Sequence, residues 1–285
     1  TYGGTSGDGA YSVQQTSDGG YIVAGGTGSF GAGSADIFLI KTYANGNVQW
    51  AKTYGGTYYD LASSVQQTSD GGYIVAGWTY SFGAGWSDVF LIKTDASGNI
   101  QWAKTYGGTS YDSAFSVQQT SDGGYIVAGY TESFGAGSWD IFLIKTDASG
   151  NIQWAKTYGG TDEDQAYSVQ QTSDGGYIVA GRTRSFGAGY YDAFLIKTDA
   201  NGNVQWAKTY GGIYYDDASY VQQTSDGGYI VAGGTSSFGA GGSDIFLIKT
   251  DASGNIQWAK TYGGTSGDGA YSVQQTSDGG YIVAG

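Results

Sequence analysis

The side chains in this sequence that could do chemistry are carboxylates, two guanidiniums, some lysines and a dense set of aromatic rings. The 285 residues hold 25 Asp and Glu, 12 Lys and Arg, 26 Tyr and 8 Trp, and no His, Cys, Met or Pro. Without Cys or His there is no thiolate nucleophile, no ordinary zinc site, no disulfide and no Ser-His-Asp triad. Acid–base work falls to the carboxylates, and paired carboxylates are the tools of glycoside hydrolysis. The sequence has only two glutamates, Glu132 and Glu163, with Asp162 and Asp164 flanking the second, and two arginines, Arg182 and Arg184. A sialidase-like site would need three clustered arginines. The chain therefore reads as non-catalytic, with no catalytic residue, no metal and no cofactor assigned. The net charge of −13 repels nucleic acid, and no apolar run is long enough to insert in a membrane.

What must position these residues is a repeat. TYGG begins at Thr1, Thr53, Thr105, Thr157, Thr209 and Thr261, a period of 52 residues. Five full units, 1–52, 53–104, 105–156, 157–208 and 209–260, are followed by a half unit, 261–285, identical to residues 1–25. A unit this short cannot bury its own apolar surface and must stack on its neighbours. The whole chain, 1–285, is read as one domain of such units.

Each unit reads as four strands. In the second, strand A is Ser63 to Thr68, strand B Tyr73 to Gly77, strand C Asp88 to Thr94 and strand D Ile100 to Lys104. Ser69-Asp70-Gly71-Gly72 between A and B suits a tight hairpin, because glycine supplies positive φ without steric cost. The unbroken Val89-Phe90-Leu91-Ile92 run predicts a strand buried on both faces, and no segment has helical periodicity. The expected class is all-β, a β-propeller of four-stranded antiparallel blades. Six blade positions are expected, because displacing one A–B hairpin would expose Tyr, Ile and Val; the alternative is a closed five-bladed ring with one hairpin surplus. The identical ends predict homo-oligomers by strand exchange.

A meander places the A–B and C–D turns at one end of each blade and the B–C and D–A connections at the other. The A–B turn is SDGG in all six copies, and the C–D turn alternates only between ANGN and ASGN. At the other end the copies differ. The D–A connection carries Tyr58, Tyr59, Tyr111, Tyr214 and Tyr215; the stretch after strand B carries Trp78, Tyr80, Tyr130, Glu132, Arg182 and Arg184; the B–C connection carries Trp86, Trp139, Tyr190 and Tyr191. A fixed scaffold with variable, aromatic-rich loops on one side is the pattern of a recognition surface. Rings with acids and arginines between them suit carbohydrate or a protein surface, so these residues are the expected ligand-binding set. The competing expectations are a structural repeat or assembly scaffold with no specific small ligand, and, behind it, a glycoside-active enzyme.

Two aspartates recur in each unit, Asp8 through Asp268 and Asp36 through Asp244. None sits in a calcium-loop pattern, and the expected role is capping of turn N–H groups. The recurring Trp50, Trp102, Trp154, Trp206 and Trp258, and the Phe38 to Phe246 series, are expected at blade-to-blade contacts. Lys41 and its counterparts are expected to pair with a recurring Asp or cover a ring.

YIVAG, a Gly-rich loop, the DxFLIKTDxxGNxQW run and TYGG together resemble, over the whole chain, β-propeller repeats of bacterial and archaeal cell-surface proteins. Kelch blades, which end strand B in two glycines, are a weaker likeness; here the second glycine survives only as Gly26 and Gly234. The resemblance implies an extracellular or surface-displayed adhesion module whose ligand the fold does not fix.

Overall fold

A computed structural model describes residues 2–285; Thr1, which opens the first repeat, lies outside the described residues. The first repeat forms β1 (Asp8–Gln15), β2 (Tyr21–Thr27), β3 (Asp36–Thr42) and β4 (Val48–Tyr54). The second forms β5 (Asp60–Gln67), β6 (Tyr73–Thr79), β7 (Asp88–Thr94) and β8 (Ile100–Tyr106). The third forms β9 (Asp112–Gln119), β10 (Tyr125–Thr131), β11 (Asp140–Thr146) and β12 (Ile152–Tyr158). The fourth forms β13 (Asp164–Gln171), β14 (Tyr177–Thr183), β15 (Asp192–Thr198) and β16 (Val204–Tyr210). The fifth forms β17 (Tyr220–Gln223), β18 (Tyr229–Thr235), β19 (Asp244–Thr250) and β20 (Ile256–Tyr262), and the half repeat forms β21 (Ser272–Gln275) and β22 (Tyr281–Ala284). Each full repeat is one four-stranded meander in sequence order, and the half repeat is a two-stranded sheet. The chain divides into two compact units, Thr1–Phe134 with Ile144–Ala155, and Gly135–Leu143 with Lys156–Gly285.

The strands run past the bounds expected from sequence. Strand A starts three residues earlier, at Asp60 rather than Ser63, and strand D continues to Tyr106. The early part of strand A is joined through a bulge between Ala62 and Ser64, which an apolar-run reading does not register. In the fifth repeat strand A starts late. There Asp217 accepts from the Gly234 N–H at 2.9 Å and from the Ser219 hydroxyl at 2.7 Å, bonds that compete with the ladder.

Burial explains the constant residues. Strand C of the second repeat is buried along its whole length, as its unbroken apolar run predicts. In the first unit, Ile22, Ala24, Ile37 and Leu39 of one repeat pack with Val65, Tyr73, Val75, Phe90 and Ile92 of the next. Trp50 meets Tyr73 edge-on at 5.8 Å, and in the second unit Trp206 meets Tyr229 in the same way. These contacts confirm the Trp and Phe series as blade-to-blade packing.

Three further hydrogen bonds tie successive repeats and were not anticipated. The Tyr54 hydroxyl donates to the Gly98 carbonyl at 2.7 Å, and Lys52 Nζ donates to Asn99 Oδ1 at 2.6 Å, so strand D grips the next C–D turn. The Gln67 N–H donates to Gln14 Oε1 at 2.6 Å, which gives the QQ dipeptide of strand A a structural role.

The lysine of strand C pairs as expected. Lys93, almost wholly buried, reaches Asp70 of its own A–B turn at 2.9 Å, and also donates to the Thr94 carbonyl at 2.8 Å. Burial alone would raise the Asp70 carboxyl. The Lys93 ammonium, the Thr68 hydroxyl and the Gly72 N–H outweigh it and hold the group down at about 2.

Candidate functional site

The variable end of each blade rests on main chain. The Asp60 N–H donates to the Ala35 carbonyl at 2.8 Å and the Tyr80 N–H to the Tyr59 carbonyl at 2.9 Å, and both bonds recur in later repeats. Parallel bridges join Ala35 to Tyr59, Ser87 to Tyr111, Trp139 to Glu163 and Tyr191 to Tyr215. Because these links use only N–H and C=O groups, side chains at the same positions can change without loss of the frame.

The two aspartate series complete that frame. Asp60 accepts from the Gly56 N–H at 2.8 Å, from the Ser81 hydroxyl at 2.7 Å and from the Thr79 hydroxyl. Asp88 accepts from the Ala84 N–H at 2.8 Å within its B–C loop. Capping is thus the role both series fill. They also approach one another: a Cβ built on Gly107 would lie 2.2 Å from Asp88 Oδ1 and 2.6 Å from Asp112 Oδ2. Burial, opposed by the Ala84 N–H and aided by the neighbouring Asp112 carboxylate, pushes Asp88 up to about 6. Among the described residues, no three metal-ligating side chains gather.

These shifts have opposite signs and set a stability maximum. Asp88 has a folded value above its ordinary one, so its contribution is present at low pH and is lost as pH rises through about 6. Asp70 has a depressed folded value, so its contribution is present at higher pH and is lost as pH falls toward 2. The melting temperature is expected to rise on acidification from about pH 8 to about pH 5 and to fall again below about pH 3. Asp88→Asn should flatten the upper limb. Thermal melts across that range check this, and a melting temperature that declines steadily from pH 8 downward contradicts it.

In the first unit the variable side chains form one aromatic cluster. Trp78 and Tyr80 meet edge-on at 5.4 Å, Tyr80 meets Tyr111 at 6.3 Å, and Trp86 lies over Tyr111 at 5.7 Å with planes 21° apart. Trp86 is 62% exposed, and Tyr58 and Tyr59 of the D–A connection are exposed as well. Tyr130 is half-buried against Phe115 at 5.8 Å. Glu132 accepts from the Ser110 hydroxyl at 2.8 Å. Burial first, then Tyr111, Tyr130 and Glu132, push the Tyr80 phenol up, which places these four groups within one electrostatic neighbourhood.

The second unit builds a different arrangement from the same positions. Arg182 is boxed by three rings, with its guanidinium carbon 4.4 Å from the centre of Tyr191, 5.6 Å from Tyr215 and 5.7 Å from Tyr167. It donates to the Tyr215 hydroxyl at 2.7 Å. Tyr191 is only 5% exposed and donates to Glu163, so it is a wall of the box rather than an open contact. Burial, with Glu163 accepting a hydrogen bond from the phenol, pushes Tyr191 up to about 12. Arg184 lies 4.9 Å from the exposed Tyr190 ring, Tyr214 is exposed, and Trp139 is half-buried.

Sequence reasoning missed Phe115, Tyr167 and Asp217. Phe115 and Tyr167 are the bulged residues of β9 and β13, two positions after Ser113 and Gln165, which pair with the variable Tyr130 and Arg182; Asp217 precedes β17 and bonds to Gly234. The signal was available, because two positions of the repeat, Leu61, Ser113, Gln165 and Asp217 in one series and Ser63, Phe115, Tyr167 and Ser219 in the other, also differ between copies.

No family model matches the chain. Over 209 residues it is 30% identical to the regulatory protein FlaEY of Caulobacter vibrioides, covering 64% of this chain and 22% of that protein. The chain thus spans about a fifth of the length of the curated relative it matches. The WD40 domain of Neurospora crassa Pan2 matches with a TM-score of 0.55 at 12% identity, over 89% of this chain and 66% of that one. Sqt1 from Chaetomium thermophilum matches at 11% identity with a TM-score of 0.47, over 94% of this chain and 75% of that one. The fold is that of β-propeller blades.

Proposed function

We propose that the chain is a non-catalytic protein-binding module whose variable blade ends hold a partner on exposed aromatic rings. The observation that carries this is Trp86, 62% exposed and stacked on Tyr111, in a cluster that the blade frame does not need. Trp, Tyr and Arg are the residues that dominate binding hot spots, and both units present them at the same repeat positions. The net charge of −13 favours a basic partner surface. The regulatory designation of the Caulobacter relative supports a binding rather than a catalytic role.

One observation favours a second reading. The Trp86–Tyr111 stack, with planes 21° apart, offers a flat ring that suits the C–H face of a sugar. A peptide-display selection and a glycan array run on the same protein separate the two. The protein reading expects enriched basic peptides and no glycan signal above background. Glycan binding with no enriched peptide would replace it with the second.

A further inference from the structure

The two units carry different side chains at the same four repeat positions, and the difference is one of charge. Arg182, Arg184, Tyr190 and Tyr215 of the second unit stand two repeats after Trp78, Tyr80, Trp86 and Tyr111 of the first. In the second unit the rings at these positions are met by guanidiniums of the same chain. Arg184 lies 4.9 Å from the centre of Tyr190, and Arg182 donates to the Tyr215 hydroxyl at 2.7 Å. Arg182 Nε is buried with no hydrogen-bond partner, so the faces of Tyr167, Tyr191 and Tyr215 do part of the holding that acceptors do elsewhere. Burial raises the Asp217 carboxyl, and Arg182 is among the groups that oppose the rise, so cation and carboxylate share one neighbourhood.

The first unit has the rings and a carboxylate at these positions, without the cation. Trp78 and Tyr80 stand where the arginines stand, and Trp86, though stacked on Tyr111, keeps most of its surface open. The carboxylate is Glu132. Its N–H donates to the Tyr111 carbonyl at 2.8 Å and its carboxylate accepts from the Ser110 hydroxyl at 2.8 Å, which fixes it beside Tyr111. A carboxylate accepts several such bonds at once. The counterpart of Glu132 in the fifth repeat is Ser236. The acid thus stands where the chain supplies no cation, and a neutral hydroxyl stands where it does.

We propose, on the protein-binding reading, that the first unit's ring cluster is an arginine receptor: a guanidinium of the partner protein lies on the Trp86 ring, as Arg184 lies on Tyr190, with Glu132 as its counter-charge. Ring faces and a fixed carboxylate both attract a cation, and the chain's net charge of −13 draws one in. A guanidinium suits the site better than an ammonium, because it is planar, weakly hydrated and stacks on aromatic faces while its N–H groups reach a carboxylate. The second unit already holds its own guanidiniums at these positions and takes no other, so one such arginine is held per chain.

Peptides enriched by display on the full-length chain serve as probes. Each arginine in them is replaced in turn by lysine and by citrulline, which keeps the planar shape and loses the charge, and Kd is measured by calorimetry. Citrulline at one critical arginine should weaken binding at least about tenfold, the scale of a desolvated cation–π contact, and lysine there should weaken it less. Tyr80→Arg puts a guanidinium of the chain itself at the Arg184 position. It should weaken the arginine peptide at least about tenfold, while Tyr80→Phe keeps it within about threefold. Glu132→Gln should shrink the preference for arginine over citrulline. Enriched peptides without arginine, or citrulline accepted without loss, overturn the assignment and leave the protein-binding reading standing. A normally melting Tyr80→Arg variant that binds as tightly as the natural chain overturns it too. If that variant does not fold, an arginine preference unchanged in Glu132→Gln does the same. No enriched peptide of any kind removes both.

Discussion

Gly77→Ala is expected to destabilise the protein by about 3 kcal/mol or more, at the upper end of overpacking costs. Its built Cβ lies 1.8 Å from the Leu61 carbonyl oxygen and 2.9 Å from Ala62 Cα, atoms of the bulged strand that faces it. Both obstacles are backbone, so no side-chain rotation relieves them. Gly71 makes the control. It has a φ of +82° and nothing within 4 Å of a built Cβ, so Gly71→Ala meets only the left-handed backbone cost of about 1–2 kcal/mol. Urea titrations of the two variants compare them. A Gly77 cost equal to or below that of Gly71 would mean the bulge yields, and the bulge would not be the rigid base of the variable end.

Ile178→Ala is expected to cost about 2–5 kcal/mol, and Ile282→Ala less than about 0.5 kcal/mol. The two residues occupy the same strand B position of the repeat and differ only in what covers them. Ile178 is fully buried within the fourth and fifth repeats, whereas Ile282 is 62% exposed on the open face of the half repeat. The identical local sequence removes propensity from the comparison and leaves burial and cavity formation. Equal losses at dilute protein concentration would mean that the half repeat is covered on both faces. Denaturation of the two single variants decides this.

The blade was legible from sequence because its signals are local. Asp-Gly-Gly fixed the A–B hairpin, the Val89 to Ile92 run fixed a doubly buried strand, and identity between repeats made Trp50 and its counterparts packing residues. What escaped depended on the third dimension. The bulge at Ala62 and Ser64 has no composition of its own, and it lengthened strand A to Asp60. The bond from Tyr54 to Gly98 joins residues 44 apart in sequence, beyond any local pattern. Among the ligand-binding candidates, Trp78, Tyr80, Trp86 and Tyr111 came together as a cluster, because loops at one end of neighbouring blades converge. Tyr191 looked like an equally free ring but is buried beside Arg182, since two further tyrosines, Tyr167 and Tyr215, close around the same guanidinium. Variation between copies marks which positions are released by the frame; it does not tell whether a released side chain faces solvent or its neighbour.

The central claim is that the variable blade ends, and not the constant turns, hold the partner. Its most direct test is the affinity of display-selected peptides for three proteins: the natural chain, a Trp78→Ala, Tyr80→Ala, Trp86→Ala variant, and a constant-end variant with Asn99→Ala and Asn151→Ala. Calorimetric titration should show Kd weakened at least about thirtyfold by the aromatic substitutions, the scale of a hot spot worth about 2 kcal/mol, with the constant-end variant unchanged. Unaltered affinity in the aromatic variant, or a comparable loss in the constant-end variant, would contradict the account.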